Sequence, residues 1–297
     1  MSTVAFFGLG HMGGPMAAHL AAAGHHVLGF DPDAAVAEAA SRTGVAIGFG
    51  PEELAARADV IVTMLPAGRF VLDVYERILP FARPGTLFID SSTVSVDESR
   101  QAHALVSAAG HRALDAPVSG GVVGATAGTL TFMVGGAADD LEVARPILEA
   151  MGARLVHCGG PGLGQAAKVC NNMILAVSMI AVSEAFVLGE ALGLEHDALF
   201  EVASTASGQC WALTTNCPVP GPVPASPANR DYVPGFAGAL MAKDLGLAAR
   251  AIAETGVAAQ FGSAAEAIYR DFAAGEGAGR DFSAIIEQIR AASGRAA

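Results

Sequence analysis

Over the first 160 residues, short runs of β-branched and aromatic residues alternate with Ala-rich stretches whose apolar positions recur at helical spacing. That alternation predicts strands joined by crossover helices. The strands expected are Thr3 to Phe7, His26 to Phe30, Val60 to Met64, Thr86 to Ile89, Arg112 to Asp115, Leu130 to Val134 and Arg154 to Cys158. Between them, helices are expected at Pro15 to Ala23, Asp33 to Ser41, Pro51 to Ala56, Val71 to Leu79, Val96 to Ala109 and Ala138 to Met151. The result is an α/β, doubly wound parallel sheet.

After Gly159-Gly-Pro-Gly162 the pattern changes. Leu163 to Leu194 contains no Pro and carries apolar residues on every side of a helical wheel, which predicts a helix roughly 45 Å long. A helix apolar all round must be buried on all sides, in the core of a second domain or in a subunit interface. Further helices are expected at His196 to Ala206, Ala237 to Glu254, Ser263 to Ala274 and Phe282 to Ala292, with no strand. The chain therefore reads as an α/β domain over 1–162 followed by an all-helical domain over 163–297. Within the second, Gly208 to Gly235 holds six prolines, and loops of that length are functional or disordered. The longest uninterrupted apolar run, Met173 to Ser183, ends at Glu184, short of the roughly 20 residues a bilayer span needs, so no membrane partner is expected.

Composition sharpens this picture. With 297 residues, 52% hydrophobic and 15% charged, the chain is long enough for two cores and too apolar for disorder. A net charge of −12 disfavours a nucleic-acid partner, because like charges repel and few cations remain to neutralise phosphates. Cys158, Cys170, Cys210 and Cys217 share no C-x-x-C spacing and read as free thiols of a reducing compartment. Met1 leads straight into Val4-Ala-Phe-Phe-Gly8 with no basic n-region, so a cytoplasmic location is expected rather than a secretory one.

Candidate chemistry clusters at the strand ends. Gly8-Leu-Gly10-His11-Met12-Gly13 follows the first strand and opens a helix. In that context Gly8 permits a tight turn, Gly10 lets the backbone approach a pyrophosphate, and Gly13 lets helix and strand pack closely. Asp31, at the end of the second strand, is placed to accept the ribose hydroxyls of NAD and to repel the 2′-phosphate of NADP, and no Arg or Lys occurs before Arg42. Asp115-Ala-Pro-Val-Ser119-Gly120-Gly121 offers a hydroxyl and bare backbone N–H groups, a cradle for a carboxylate. Pro117 excludes a nucleophile elbow there. No metal-ligand spacing can be drawn among the eight histidines, so no metal is expected, and His11 is taken to border the cofactor.

Lys168 and Asn172 stand at i and i+4 in the first turns of the long helix. A Lys there either snorkels to solvent or serves a purpose. Lys243-Asp244 repeats the ambiguity on a later helix, and Trp211, the one Trp, either walls a pocket or pins its loop.

At these residues the sequence resembles the β-hydroxyacid dehydrogenase family. Four blocks fall in the family's order: Gly8 to Met16, Asp115 to Thr129, Gly162 to Asn172, and Lys243-Asp-Leu245. The resemblance implies a Rossmann domain, a long connecting helix and an all-helical domain. It also implies that Lys168 is catalytic with Asn172 beside it, and that Ser119, Gly120 and Gly121 hold the substrate carboxylate. By the same resemblance Leu65, Pro66, Thr93 and Lys243 line the cofactor site. The segments Gly208-Gln-Cys-Trp211 and Asp281-Phe-Ser-Ala-Ile-Ile286 resemble those of family members acting on 3-hydroxyisobutyrate, which implies its NAD-dependent oxidation, a step of valine breakdown, and the buried long helix leads us to expect a homodimer or homotetramer. Trp211 would then wall the substrate's methyl group. Sibling reductases of tartronate semialdehyde, succinate semialdehyde or glyoxylate, the imine reductases and non-catalytic scaffold domains share the architecture and remain alternatives.

Overall fold

The computed structural model describes residues 1–294. It divides into two compact units, Met1–Lys168 and the chain from Val169 on. The first unit runs β1 (Thr3–Phe7), α1 (Gly13–Ala22), β2 (His26–Phe30), α2 (Ala34–Ser41), α3 (Pro51–Arg57), β3 (Val60–Thr63), α4 (Gly68–Ile78), β4 (Leu87–Asp90), α5 (Val96–Ala108), β5 (Arg112–Asp115) and β6 (Val118–Ser119). It continues with α6 (Gly121–Ala127), β7 (Leu130–Gly136), α7 (Ala138–Met151), β8 (Gly152–Gly159) and the start of α8 (Leu163–Leu192).

Alternation along the strands separates two cores. Val4 and Phe6 of β1, Val60 and Val62 of β3, and Leu87 and Ile89 of β4 pack with α1 and α7 on one face. Ala5, Phe7, Ile61 and Phe88 pack with α3, α4 and α5 on the other. Both faces are covered, as a parallel sheet requires.

The strand order is β2-β1-β3-β4-β5-β7-β6, with β8 paired to β7. Strands β2, β1, β3, β4 and β5 are parallel, but β7 runs antiparallel to both β5 and β6, which corrects the expectation of a wholly parallel sheet. The cause is local. β5 and β6 hold one register against β7, with Leu114 opposite Gly136 and Ser119 opposite Thr131. Pro117, which has no N–H to give, interrupts this extended segment but still accepts from Met133 N at 3.0 Å. The chain then reverses through α6, a short helix that the sequence pattern does not announce because glycines open and interrupt it.

The second unit holds the rest of α8, then α9 (His196–Thr205), α10 (Trp211–Thr214), α11 (Gly238–Thr255), α12 (Gln260–Ala273) and α13 (Ile285–Ala292). Among the described residues it contains no strand, only an isolated bridge between Ala237 and Asp281. The single helix expected over Phe282 to Ala292 begins instead as a 3₁₀ turn at Phe282–Ala284, where the Asp281 carboxylate caps Ser283 N. Its core gathers Met179, Phe186, Met241, Tyr269 and Phe282.

Within the single chain, helix α8 is buried on part of its circumference only. Leu192 is 78% exposed in the single chain, and Ile174 and Leu188 are open as well. Its 30 residues also make it long and apolar enough to cross a membrane by length and composition, a property hidden when only the run before Glu184 is counted. Yet Gln165, Lys168, Asn172 and Ser183 on the same helix are all buried within the protein. Polar side chains need partners there, as lipid would not supply them.

Candidate active site

In the first unit, the loops after the parallel strands gather at one sheet edge. In the order β2-β1-β3 the next strands are added on opposite sides of β1, and a crevice at the carboxyl ends of β1 and β3 follows from that switch. Gly8 follows β1 at φ +90°, and a Cβ there would meet the Met64 carbonyl oxygen at 2.3 Å. At Gly13 a Cβ would fall 1.9 Å from the Gly8 oxygen. Gly10 differs, for a Cβ there meets no atom within 4 Å. The protein's own packing therefore asks nothing of residue 10, and a glycine there matters only to something arriving from outside. Helix α1 starts with Met12 at its N-cap and no side-chain cap, while His11 lies exposed. A helix start without a side-chain cap, behind an open glycine, fits a pyrophosphate.

The half-buried Asp31 carboxylate accepts from Leu9 N at 2.8 Å on Oδ2 and from Asp33 N at 2.9 Å on Oδ1. It thus braces the glycine loop, a role the sequence did not reveal, and lone pairs remain on each oxygen for ribose hydroxyls. Arg42, the nearest Arg or Lys along the chain, is tied to Glu38 at 2.9 Å. These features together fit NAD.

Leu65, Pro66 and Thr93 follow β3 and β4. Leu65 N donates to Ser92 Oγ at 2.8 Å, joining the two loops. Beneath them Asp90 is buried, with Oδ1 accepting from Thr63 Oγ1 at 2.8 Å and Ser92 N at 3.0 Å. Burial pushes its carboxyl up to about 6, against the hydrogen bonds from Ser92 and Thr63 and with help from the Asp115 charge. Its Oδ2, Ser99 Oγ and His103 Nδ1 have no hydrogen-bond partner among the described residues and border one small cavity.

Ser119 closes β6 half-buried, and Gly120 (φ +133°) and Gly121 (φ +59°) turn the chain into α6. Both angles favour glycine, so the cradle is built into the backbone. Asp115, at the end of β5, is engaged by the protein's own backbone. Its Oδ1 accepts from Gly162 N at 2.8 Å and Oδ2 from Gln165 N at 2.9 Å, which fixes the start of α8. Burial pushes this carboxyl up, while the N–H groups of Gln165, Gly162 and Gly164 draw it down.

Lys168 follows one turn later and is only 7% exposed, so a solvated helix-end lysine is not what the structure contains. Four residues along α8, Asn172 belongs to the second unit and is buried. Its Nδ2 donates to Asp244 Oδ2 at 2.5 Å and its Oδ1 accepts from Asn171 Nδ2 at 3.0 Å. Because a carboxylate only accepts, Asp244 sets which way the Asn172 amide faces. Lys243 is half-buried on α11 beside it in sequence, and Trp211 opens α10 at 52% exposure. Asp244 and Gln165 are the residues to which the sequence assigned no role. Each is a polar residue at a core position of an apolar helix, which is the signal that marks it. Among the described residues no group of His, Cys, Asp and Glu is arranged to hold a metal, and the four cysteines are free.

Two family models cover the chain. One, the NAD binding domain of 6-phosphogluconate dehydrogenase, matches residues 3–160. The other, described as NAD-binding of NADP-dependent 3-hydroxyisobutyrate dehydrogenase, matches residues 162–289. A probable 3-hydroxyisobutyrate dehydrogenase of Mycobacterium tuberculosis is 57% identical over 291 residues, covering 98% of this chain and 99% of its own. The solved structure of the M. tuberculosis 3-hydroxyisobutyrate dehydrogenase with L-serine superposes with a TM-score of 0.95 over 98% of this chain and 99% of that one, at 57% identity. An NAD-dependent L-serine dehydrogenase of Pseudomonas aeruginosa is 45% identical over 288 residues, 96% of this chain and 97% of that protein. The cofactor is NAD, for which the glycine loop and Asp31 are suited. On these matches along nearly its whole length, the chain belongs to the 3-hydroxyisobutyrate dehydrogenase family and is an oxidoreductase of the β-hydroxyacid dehydrogenases.

Proposed function

We propose that this enzyme oxidises 3-hydroxyisobutyrate to methylmalonate semialdehyde, the reaction its 57% identical relative is named for, and prefers NAD to NADP. The observation that carries the reading is Lys168, a buried amine in the first turns of α8. A buried lysine needs a reason, and general base catalysis supplies one. Lys168 takes the hydroxyl proton as the alcohol carbon gives up its hydrogen with the electron pair, and it returns that proton in the reverse direction. Bound NAD supplies the acceptor for that hydrogen and its electron pair. Asn172, its amide oriented by Asp244, steadies the oxygen that becomes the carbonyl. Ser119 and the Gly120-Gly121 backbone take the carboxylate. Gly8, Gly10, Met12, Gly13, Asp31, Leu65, Pro66, Thr93 and Lys243 hold the cofactor, with His11 at its border. Trp211 walls the methyl branch. Valine breakdown in the cytoplasm is the setting this substrate implies.

L-serine is the second reading, favoured by the solved relative with L-serine and by the relative named for it. It is also a 3-hydroxy acid, with an ammonium where 3-hydroxyisobutyrate has a methyl. A panel of 3-hydroxyisobutyrate, L-serine, 3-hydroxypropionate and D-glycerate with NAD and NADP separates the two. We expect 3-hydroxyisobutyrate to lead, with 3-hydroxypropionate lower by on the order of 10 to 200-fold in kcat/KM, the worth of one methyl group in a pocket. A higher kcat/KM for L-serine overturns the substrate and leaves the chemistry standing. Lys168→Ala should cut turnover by about 10² to 10⁴-fold with NADH affinity nearly unchanged, and normal turnover in that variant overturns the base.

A further inference from the structure

Two buried side chains with no part in the proposed chemistry tie the nucleotide-side loops to the helix that carries Lys168. Gln165 is fully buried one helical turn before it. Its Nε2 donates to the Ser92 carbonyl at 2.7 Å, and its Oε1 accepts from Val94 N at 3.2 Å. The amide thus grips the backbone on both sides of Thr93. Ser92 in turn accepts from Leu65 N through its hydroxyl at 2.8 Å, so the loops after β3 and β4 are held in one chain of hydrogen bonds that ends on α8. From the sheet side, Asp115 at the end of β5 accepts from Gly162 N and Gln165 N. Two glycines make room for that carboxylate. A Cβ on Gly135 would lie 2.3 Å from Asp115 Oδ1, and one on Gly164 would lie 2.3 Å from the Met133 oxygen and 2.7 Å from Asp115 Oδ2. Every residue of this network lies in the first unit.

We propose that Gln165 is a positioning residue for the reaction: with Asp115 it sets the depth and rotation of the first turns of α8 against the two loops, so that the Lys168 amine and the bound cofactor keep one register. The proposal rests on Lys168 as the base. A single planar amide that donates to one backbone carbonyl and accepts from an N–H two residues on resists both sliding and rotation, which a hydrocarbon of the same volume does not. Reactions that depend on alignment lose on the order of 10²-fold for a displacement of about 1 Å.

The test is Gln165→Leu in the full chain, which keeps the volume and removes both hydrogen bonds. Measured are kcat, the NADH dissociation constant by fluorescence, the thermal midpoint, and the isotope effect on kcat with the alcohol carbon deuterated. We expect kcat to fall at least about tenfold while NADH affinity stays within about threefold, with a larger isotope effect as the chemical step becomes limiting. A merely structural role would lower the midpoint and leave kcat and the isotope effect of the folded enzyme alone. That result, or a loss of NADH affinity as large as the loss of kcat, overturns the proposal. If Gln165→Leu does not fold, Asp115→Asn, which keeps one oxygen as acceptor for α8, is read by the same criteria. Lys168→Ala run alongside keeps the two ideas apart. Activity in Lys168→Ala removes the base assignment, whereas an inactive Lys168→Ala beside a fully active Gln165→Leu removes only the positioning role.

Discussion

Part of the acceptor capacity of Asp31 is already used by the protein, through Leu9 N and Asp33 N. Its replacement therefore does two things. Asp31→Ala should narrow the preference for NAD over NADP by removing the repulsion of phosphate, and it should also loosen the glycine loop. We expect kcat/KM for NAD to fall roughly 10 to 100-fold, the worth of one charged hydrogen bond, and less for NADP. Steady-state kinetics with both nucleotides checks this, and an unchanged ratio contradicts it. Asp90 gives a pH dependence of stability. Its carboxyl sits at about 6 in the folded chain against 3.8 ordinarily, so the folded state holds the proton more tightly. Its contribution is therefore fully present below about pH 4 and is lost as pH rises to about 6. Asp90→Asn should flatten that decline and leave the protein more stable at pH 7, by on the order of 3 kcal/mol at most. Urea titrations between pH 4 and 7 measure it.

At the scale of elements, the segment Gly208 to Gly235 shows how a proline-rich stretch becomes ordered without regular pairing. Asp281 accepts from Asn216 Nδ2 at 3.1 Å, Gly235 N at 3.0 Å, Phe236 N at 3.1 Å and Ser283 Oγ at 2.7 Å. Tyr232 donates its hydroxyl to the Pro218 carbonyl, and Ser226 donates to that of Cys217. Of the two expectations for this loop, disorder is set aside: the segment is pinned, with α10 and a 3₁₀ turn inside it. Asp281→Ala strands several buried donors at about 1 to 3 kcal/mol each, so we expect a loss of about 3 kcal/mol or more and a melting point lower by about 6 to 12 °C. Calorimetry on the full chain tests this, and a shift under about 2 °C would show that the segment is held by apolar packing instead.

For the whole molecule, the open face of α8 is the feature to explain. Ile174, Leu188 and Leu192 recur at nearly whole turns and form one apolar stripe, exposed in the single chain. Stripes of this kind are uncommon on monomers. We expect the protein to sediment as a dimer or larger, and the double variant Leu188→Asp, Leu192→Asp to shift it toward lower mass at micromolar concentration. A wild-type monomer by sedimentation velocity would remove the homo-oligomer from the reading.

The sequence by itself determined the α/β sheet, the helical second half and the glycine loop, because those rest on local periodicity and on backbone freedom that only glycine has. It also singled out Lys168, since a charge in an apolar helix breaks a pattern. What it left open depends on residues far apart in the chain. The antiparallel turn of β7 follows from how β5 and β6 share one register. The burial of Lys168, the grip of Gln165 on residues 92 and 94, and the orientation of Asn172 by Asp244 each join positions more than 70 residues apart or set an exposure that no local pattern carries. Local physical chemistry chooses the elements, whereas hydrogen-bond partners and solvent access exist only once the chain has folded.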